Sequence, residues 1–230
     1  MDRIYFAENP WPNGHRIASF EWSAHFEIGN LAKPGLYFDF HLETADYDEE
    51  DLNVDNEEDE EEAKDEWHAK IVWNNYHSCT LSSTQWGDTG FLAGTDLKPF
   101  DLESLDGKEY RIDFLTPDEQ ENLDQDTTSF GIYLLGHDAA AFHTIKFTKT
   151  ENQTFNIDWN GKLAHAYVGD HEFKHDFHTL IHSAEFRGIV IDDETTNEQA
   201  FELLKQFVCK PQLFRLVNVN GGRRFVLNNG

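Results

Sequence analysis

Positive charge, sulfur and long apolar runs are all scarce in this sequence. Among 230 residues, 18 are Lys or Arg and 44 are Asp or Glu, a formal charge of −26. Phosphate contacts need Lys and Arg, and a field of this sign repels polyanions. Nucleic acid and anionic membrane surfaces are therefore excluded as main targets. The two cysteines, Cys79 and Cys209, stand 130 residues apart and make no disulfide framework. No apolar run approaches the length that spans a bilayer. The start, Met1-Asp2-Arg3-Ile4, has neither an apolar signal core nor a myristoylation glycine. These absences lead to the expectation of a cytoplasmic protein with reduced thiols. The Gly-x-Ser-x-Gly elbow, the phosphate-binding loop and the dinucleotide fingerprint are missing too.

Aromatic residues are plentiful: 19 Phe, 7 Tyr and 6 Trp are enough for a sizeable core. The length fits a single β-rich domain over 1–230, or two β units over about 1–115 and 116–230. Phe38, Phe40, Leu42 and Thr44 alternate with Tyr37, Asp39, His41 and Glu43, the period of a strand with one buried face. Strands are likewise read over 20–28, 68–76, 78–85, 109–115, 130–135, 142–148, 154–159, 163–168, 189–191, 213–219 and 224–227. Asn160-Gly161 reads as a hairpin turn. Short strands at this spacing predict an α+β fold, predominantly antiparallel β, in a sandwich or barrel. One amphipathic helix near the C-terminus is clear, over about 196–209. Ala200, Leu203, Leu204, Phe207 and Val208 form its apolar stripe, Thr195 with Glu198 reads as a capping box, and Pro211 stops it. Asp39-Phe40-His41 is echoed by Asp176-Phe177-His178, and a strand at the second copy would keep the facing of the first.

Half of the net charge sits in one place: residues 46–66 hold 14 carboxylates and one Lys. This tract is expected to be a solvated, mobile acidic loop between two strands. It contains no glycine and is not an EF-hand, although loose carboxylates attract any divalent cation, calcium included. Asp55, Glu57, Glu58, Asp59, Glu60, Glu61 and Glu62 are its candidate partner-binding residues.

His171-Glu172-Phe173-Lys174-His175 matches HExxH. Zinc hydrolysis by this pattern needs His171 and His175 one turn apart on a helix, with Glu172 as general base to a metal-bound water. His178 and His182 extend the set of candidate ligands, and Glu194 or Glu198 is available downstream. Residues 170–186 read equally well as helix and as strand. A helix gathers the four histidines within about 60° of one another. A strand holds His171 and His175 roughly 13 Å apart, too far to share a metal. Lys174 and Asp176 depart from the uncharged surroundings of the zinc pattern. Elsewhere, His77 and Cys79 share a strand parity, which allows a Cys–His pair but is the usual setting of a small core thiol. Trp11, between Pro10 and Pro12, and Trp86, before Gly87, are turn aromatics that can stack on a sugar, anchor a partner or plug the end of a β structure.

Three functions follow from these features. The first is a non-enzymatic, immunity- or inhibitor-like protein that neutralises a basic partner, for which acidity speeds encounter and needs no cofactor. The second is a zinc-dependent hydrolase using the 171–175 motif. The third is a carbohydrate- or calcium-binding β module.

Overall fold

Inward-facing aromatic residues at every second position roll this chain into a closed ring of eight strands. A computed structural model describes residues 1–29, 33–49, 65–87, 89–121, 123, 128–219 and 222–228. The first half supplies β1 (Arg3–Phe6), β2 (His15–Glu27), β3 (Gly35–Thr44) and β4 (Thr80–Ser82). After β5 (Phe91–Gly94) and β6 (Glu109–Ile112), the second half supplies β7 (Gly131–Tyr133), β8 (His137–Lys149), β9 (Phe155–Ala164) and β10 (His175–Ala184). The order round the ring is β2-β1-β10-β9-β8-β7-β4-β3, closed by the β2–β3 pairing. Every neighbouring pair in it is antiparallel. Four strands from each half thus meet in one barrel, joined at β1–β10 and β4–β7.

The remaining strands flank the ring. β5 pairs with β3, and β6 with β8. A three-stranded extension continues from β2 through β11 (Phe186–Ile191), β12 (Phe214–Val219) and β13 (Gly222–Leu227), with β13 in the middle and β11 parallel to β2. Three α-helices, α1 (Lys70–Tyr76), α2 (Pro117–Glu121) and α3 (Asn197–Phe207), and short 3-10 turns complete the described elements. The expected mainly antiparallel β fold with one helix near the C-terminus is what forms.

An eight-stranded barrel has an interior that side chains can just fill. Here aromatic rings fill it. Trp22, Phe38, Phe40, Phe147, Phe155 and Trp159 are all buried. Trp22 meets Phe38 edge-on at 5.4 Å and Phe155 at 5.7 Å, while Trp159 lies 5.3 Å from Phe40. Such offset and edge-on pairs add to the stabilisation from burial alone. Both copies of the echo lie on strands, and Phe40 and Phe177 both point inward.

A bulge in β8 decides what else enters the core. Phe142 adopts a left-handed backbone (φ 56°), and the register against β9 shifts between Ala141 and Thr144. The extra residue exchanges the two faces. Before it, Ala140 faces the main core; after it, His143, Ile145 and Phe147 do. A histidine is thereby carried into an aromatic interior.

Three expectations need correction, and one open choice is decided. Residues 68–76 are not a strand but a short 3-10 turn followed by α1, which seals one end of the barrel with Trp67 and Trp73. Asn160-Gly161 is not a turn, because β9 runs straight through it. Gly161 is required by packing instead: a Cβ there would lie 2.5 Å from Phe177 and 2.8 Å from His143. Residues 175–184 are strand rather than helix, paired on both sides by β1 and β9. Both neighbours satisfy the backbone of β10, and Phe177, Thr179 and Ile181 alternate into the core, so pairing wins over helical amphipathicity.

The last correction is one residue at the α3 cap. The capping box uses Thr196 and Gln199, not Thr195 and Glu198: Gln199 N–H donates to Thr196 Oγ1 at 3.2 Å, and Thr196 N–H to Gln199 Oε1 at 2.8 Å. Thr196→Ala is expected to lower stability by about 1 kcal/mol. Denaturant midpoints at constant m-value measure that loss, and Thr195→Ala is expected to cause a smaller one.

Candidate functional site

The histidine motif is dispersed by the strand geometry. His171 and Glu172 lie exposed in the irregular segment before β10. His175 shares the inward parity of Phe177 and stacks on Trp67, with ring centroids 3.8 Å apart and planes at 20°. The His165 ring lies 4.9 Å from each of these two. Burial first, and then the charges of His165 and Lys174, push His175 down to about 4. His178 and His182 point outward, His178 towards Asp158 at 3.4 Å and His182 to Asp2 at 2.6 Å. The four imidazoles do not share a face, so the helix-borne zinc site is not formed. Among the described residues, no group of three or more His, Cys, Asp or Glu side chains is placed to hold a metal. Glu194 precedes α3 and Glu198 lies on it, apart from this segment. Cys79 is buried and its thiol is pushed up by that burial, while His77 precedes β4 with a left-handed backbone (φ 65°). The pair is not an activated nucleophile.

The sealed end of the barrel is where aromatics and acidic sequence meet. Trp73 is fully buried on α1. Tyr47 and Trp67 each lie 5.0 Å from it. The Trp73 indole N–H donates to the Trp67 carbonyl at 2.9 Å, and the Trp67 indole N–H to the Ala7 carbonyl at 2.9 Å. Tyr47 Oη donates to the Leu134 carbonyl at 3.2 Å. His15 stacks parallel to Trp73 at 5.6 Å and 12°. Tyr47 and Trp67 stand near the two ends of the acidic tract, so both ends are fixed to one buried indole. Asp55, Glu57, Glu58, Asp59, Glu60, Glu61 and Glu62 lie outside the described residues. Of the described tract residues, Glu49 forms an ion pair with Arg16, and Asp65 is hydrogen-bonded to the His68 ring at 2.6 Å.

Trp11 connects this plug to a surface cleft. Its ring lies 5.8 Å from Trp73 and 6.2 Å from Tyr47. It also lines an open cleft of about 510 Å³ between the loop after β1 and the outer face of β9 and β10. Antiparallel register sets Tyr5, His178 and Asn160 side by side across three strands on that face. Tyr5 is 42% exposed, and its ring and that of His178 stack at 6.4 Å. Asp176 and Glu8 supply carboxylates to the lining, and no Lys or Arg lines it. Asp176 is paired with Lys162 at 2.8 Å. Glu8 has no hydrogen-bond or ion-pair partner among the described residues, and its backbone is left-handed (φ 61°), which a non-glycine residue rarely adopts. Trp11 and His178 are legible in the sequence as separate candidates. Tyr5, Glu8, Asn160 and Asp176 are not, because only strand pairing brings 5–12 beside 160 and 176–178. The other turn aromatic, Trp86, is 40% exposed and meets His137 edge-on at 6.2 Å.

Fold and site together define an eight-stranded antiparallel barrel with a filled interior, whose distinctive groups lie on its surface. No protein-family model matches the chain, and neither does any curated protein or solved structure. Among the described residues, no helix is long and apolar enough to cross a membrane.

Proposed function

We propose that this protein is a non-enzymatic binding protein that captures a basic protein partner, in the manner of an acidic inhibitor or immunity protein. The carrying observation is the anchorage of the acidic tract. Tyr47 and Trp67, near its two ends, are both buried against Trp73, so a stretch with 14 carboxylates springs from one rigid platform. A fixed platform limits the conformational freedom lost when the tract meets a partner. The rest of the chain carries a further 30 carboxylates against 17 Lys or Arg, so the long-range field steers a basic protein toward it. The filled interior supports a role at the surface. Two free thiols, one of them exposed at Cys209, fit a reducing compartment such as the cytoplasm.

Cytochrome c is a suitable basic probe. The full chain is expected to retain it at low ionic strength and to release it near ~1 M salt, where the Debye length falls to about 3 Å. Deleting residues 50–64 is expected to weaken capture by more than about tenfold. Equal capture by the deleted chain overturns the proposal, because the remaining surface is acidic too.

A further inference from the structure

We infer that the cleft beside Trp11 receives an arginine side chain of the basic partner. This rests on the reading that the partner is basic and adds where one of its cations docks. Three features of the cleft converge on a guanidinium. Its lining holds two carboxylates, Glu8 and Asp176, and no Lys or Arg; Glu8 is without a partner among the described residues. Asp176 is already paired with Lys162, so a cation entering there meets one uncompensated carboxylate, that of Glu8. Its walls include Tyr5, with 42% of its surface exposed, and Trp11. Aromatic faces attract cations, and Arg is the commoner partner because its flat, weakly hydrated head also stacks. Asn160 and the outward imidazole of His178 complete the polar wall. Arginine presents five N–H donors in a rigid fork, so one head can serve several acceptors at once, where the ammonium of lysine acts as a point charge.

Location supports the same assignment. Trp11 lines the cleft and packs on Trp73, the residue that holds Tyr47 and Trp67. A basic partner drawn in by the acidic tract therefore arrives next to the cleft. Buried aromatic and arginine anchors are the usual centres of binding energy in such interfaces. The volume of about 510 Å³ admits a whole side chain with its flanking backbone.

Titration with N-acetyl-arginine amide, followed by the NMR signals of Tyr5, Asn160 and His178, tests the assignment. The full chain is expected to show saturable shifts at these three residues. N-acetyl-lysine amide is expected to bind more weakly. Glu8→Gln, on an exposed loop, is expected to lose roughly tenfold in affinity while keeping a dispersed spectrum. The chain lacking 50–64 is expected to bind arginine amide as the full chain does. Absence of saturable shifts overturns the inference, and so does equal binding by Glu8→Gln. Shifts at the same residues with a neutral disaccharide but not with arginine amide overturn it in favour of a sugar site. The two readings fail separately. Tract-dependent capture of cytochrome c without arginine binding removes the cleft assignment alone. Arginine binding without tract-dependent capture removes the broader proposal and leaves the cleft assignment standing.

Discussion

Trp73→Ala is expected to destabilise the protein by about 3–5 kcal/mol, the range for removing a buried large aromatic side chain. Trp73 is fully buried and touches Phe6 at 5.5 Å, His15 at 5.6 Å, and Tyr47 and Trp67 at 5.0 Å each. Its removal leaves a cavity bordered by rings that are themselves held by hydrogen bonds, Trp67 to Ala7 and Tyr47 to Leu134, so the space cannot collapse freely. Chemical denaturation gives the loss directly. Trp86→Ala is the control, since that ring is 40% exposed, and its expected effect is within about 0.5 kcal/mol. A loss below about 1 kcal/mol for Trp73→Ala contradicts the sealed-end description. The same variant loosens both anchors of the acidic tract, so it is also expected to weaken capture of a basic probe while the net charge stays unchanged.

The second large effect is acid sensitivity centred on His143. Its side chain is fully buried, with Phe130 at 4.9 Å and Phe177 at 5.9 Å. Nδ1 accepts from the Trp159 indole N–H at 3.3 Å, and Nε2 is buried without a hydrogen-bond partner. Burial pushes His143 down to about 3. The ring is therefore neutral at pH 7, and the 4.0 Å approach of Asp113 is not an ion pair. Between pH 6.5 and about 3 the unfolded chain takes up a proton that the folded chain does not. Stability then falls as pH falls, with a slope approaching about 1.4 kcal/mol per pH unit.

His175, pushed down to about 4, acts in the same direction over a narrower window, and its partial exposure makes its contribution smaller. Asp113 and Asp138, both raised by burial, oppose the trend, since protonation relieves their desolvation as pH falls through their raised values. His25 differs in sign. Burial lowers it, but the hydrogen bond and charge of Asp39, 2.7 Å away, outweigh burial and raise it. The contribution of His25 is thus complete below pH 6.5 and is lost as pH rises through its raised value. Denaturation series from pH 7 to about pH 4.5 are expected to show a steep loss in the native chain and a shallower slope in His143→Leu. That variant also costs about 1 kcal/mol at pH 7, where Trp159 loses its acceptor. Parallel slopes for the two proteins contradict the role given to His143.

These effects come from residues that differ greatly in how far the sequence reveals them. The alternation through Phe38, Phe40 and Leu42 and the stripe through Ala200, Leu204 and Phe207 are local patterns, and both elements form where they are read. Asn160-Gly161 misleads because a turn glycine and a packing glycine look alike in sequence; only the approach of Phe177 and His143 separates them. Residues 68–76 mislead because the apolar spacing in a seven-residue helix also fits a strand, and what selects the helix is the barrel mouth that Trp67 and Trp73 close. The histidine segment is ambiguous for the same reason, and pairing to β1 and β9 decides it. β1 escapes a reading by pattern: four residues are too few for a period, yet its Tyr5 faces the cleft. The cleft itself has no local signal, since strand register alone gathers its parts.

Under the proposed function, a basic protein docks at the anchored acidic tract. Site-specific photocrosslinking tests it most directly. A photoreactive residue replaces Asp48, an exposed position in the turn beside Tyr47 at the start of the tract, and the protein is illuminated in cells that make it. Covalently attached peptides from one protein with a large positive net charge, absent when residues 50–64 are deleted, are the predicted result. Attachment of neutral or acidic proteins, or the same basic protein recovered equally without the tract, contradicts the account.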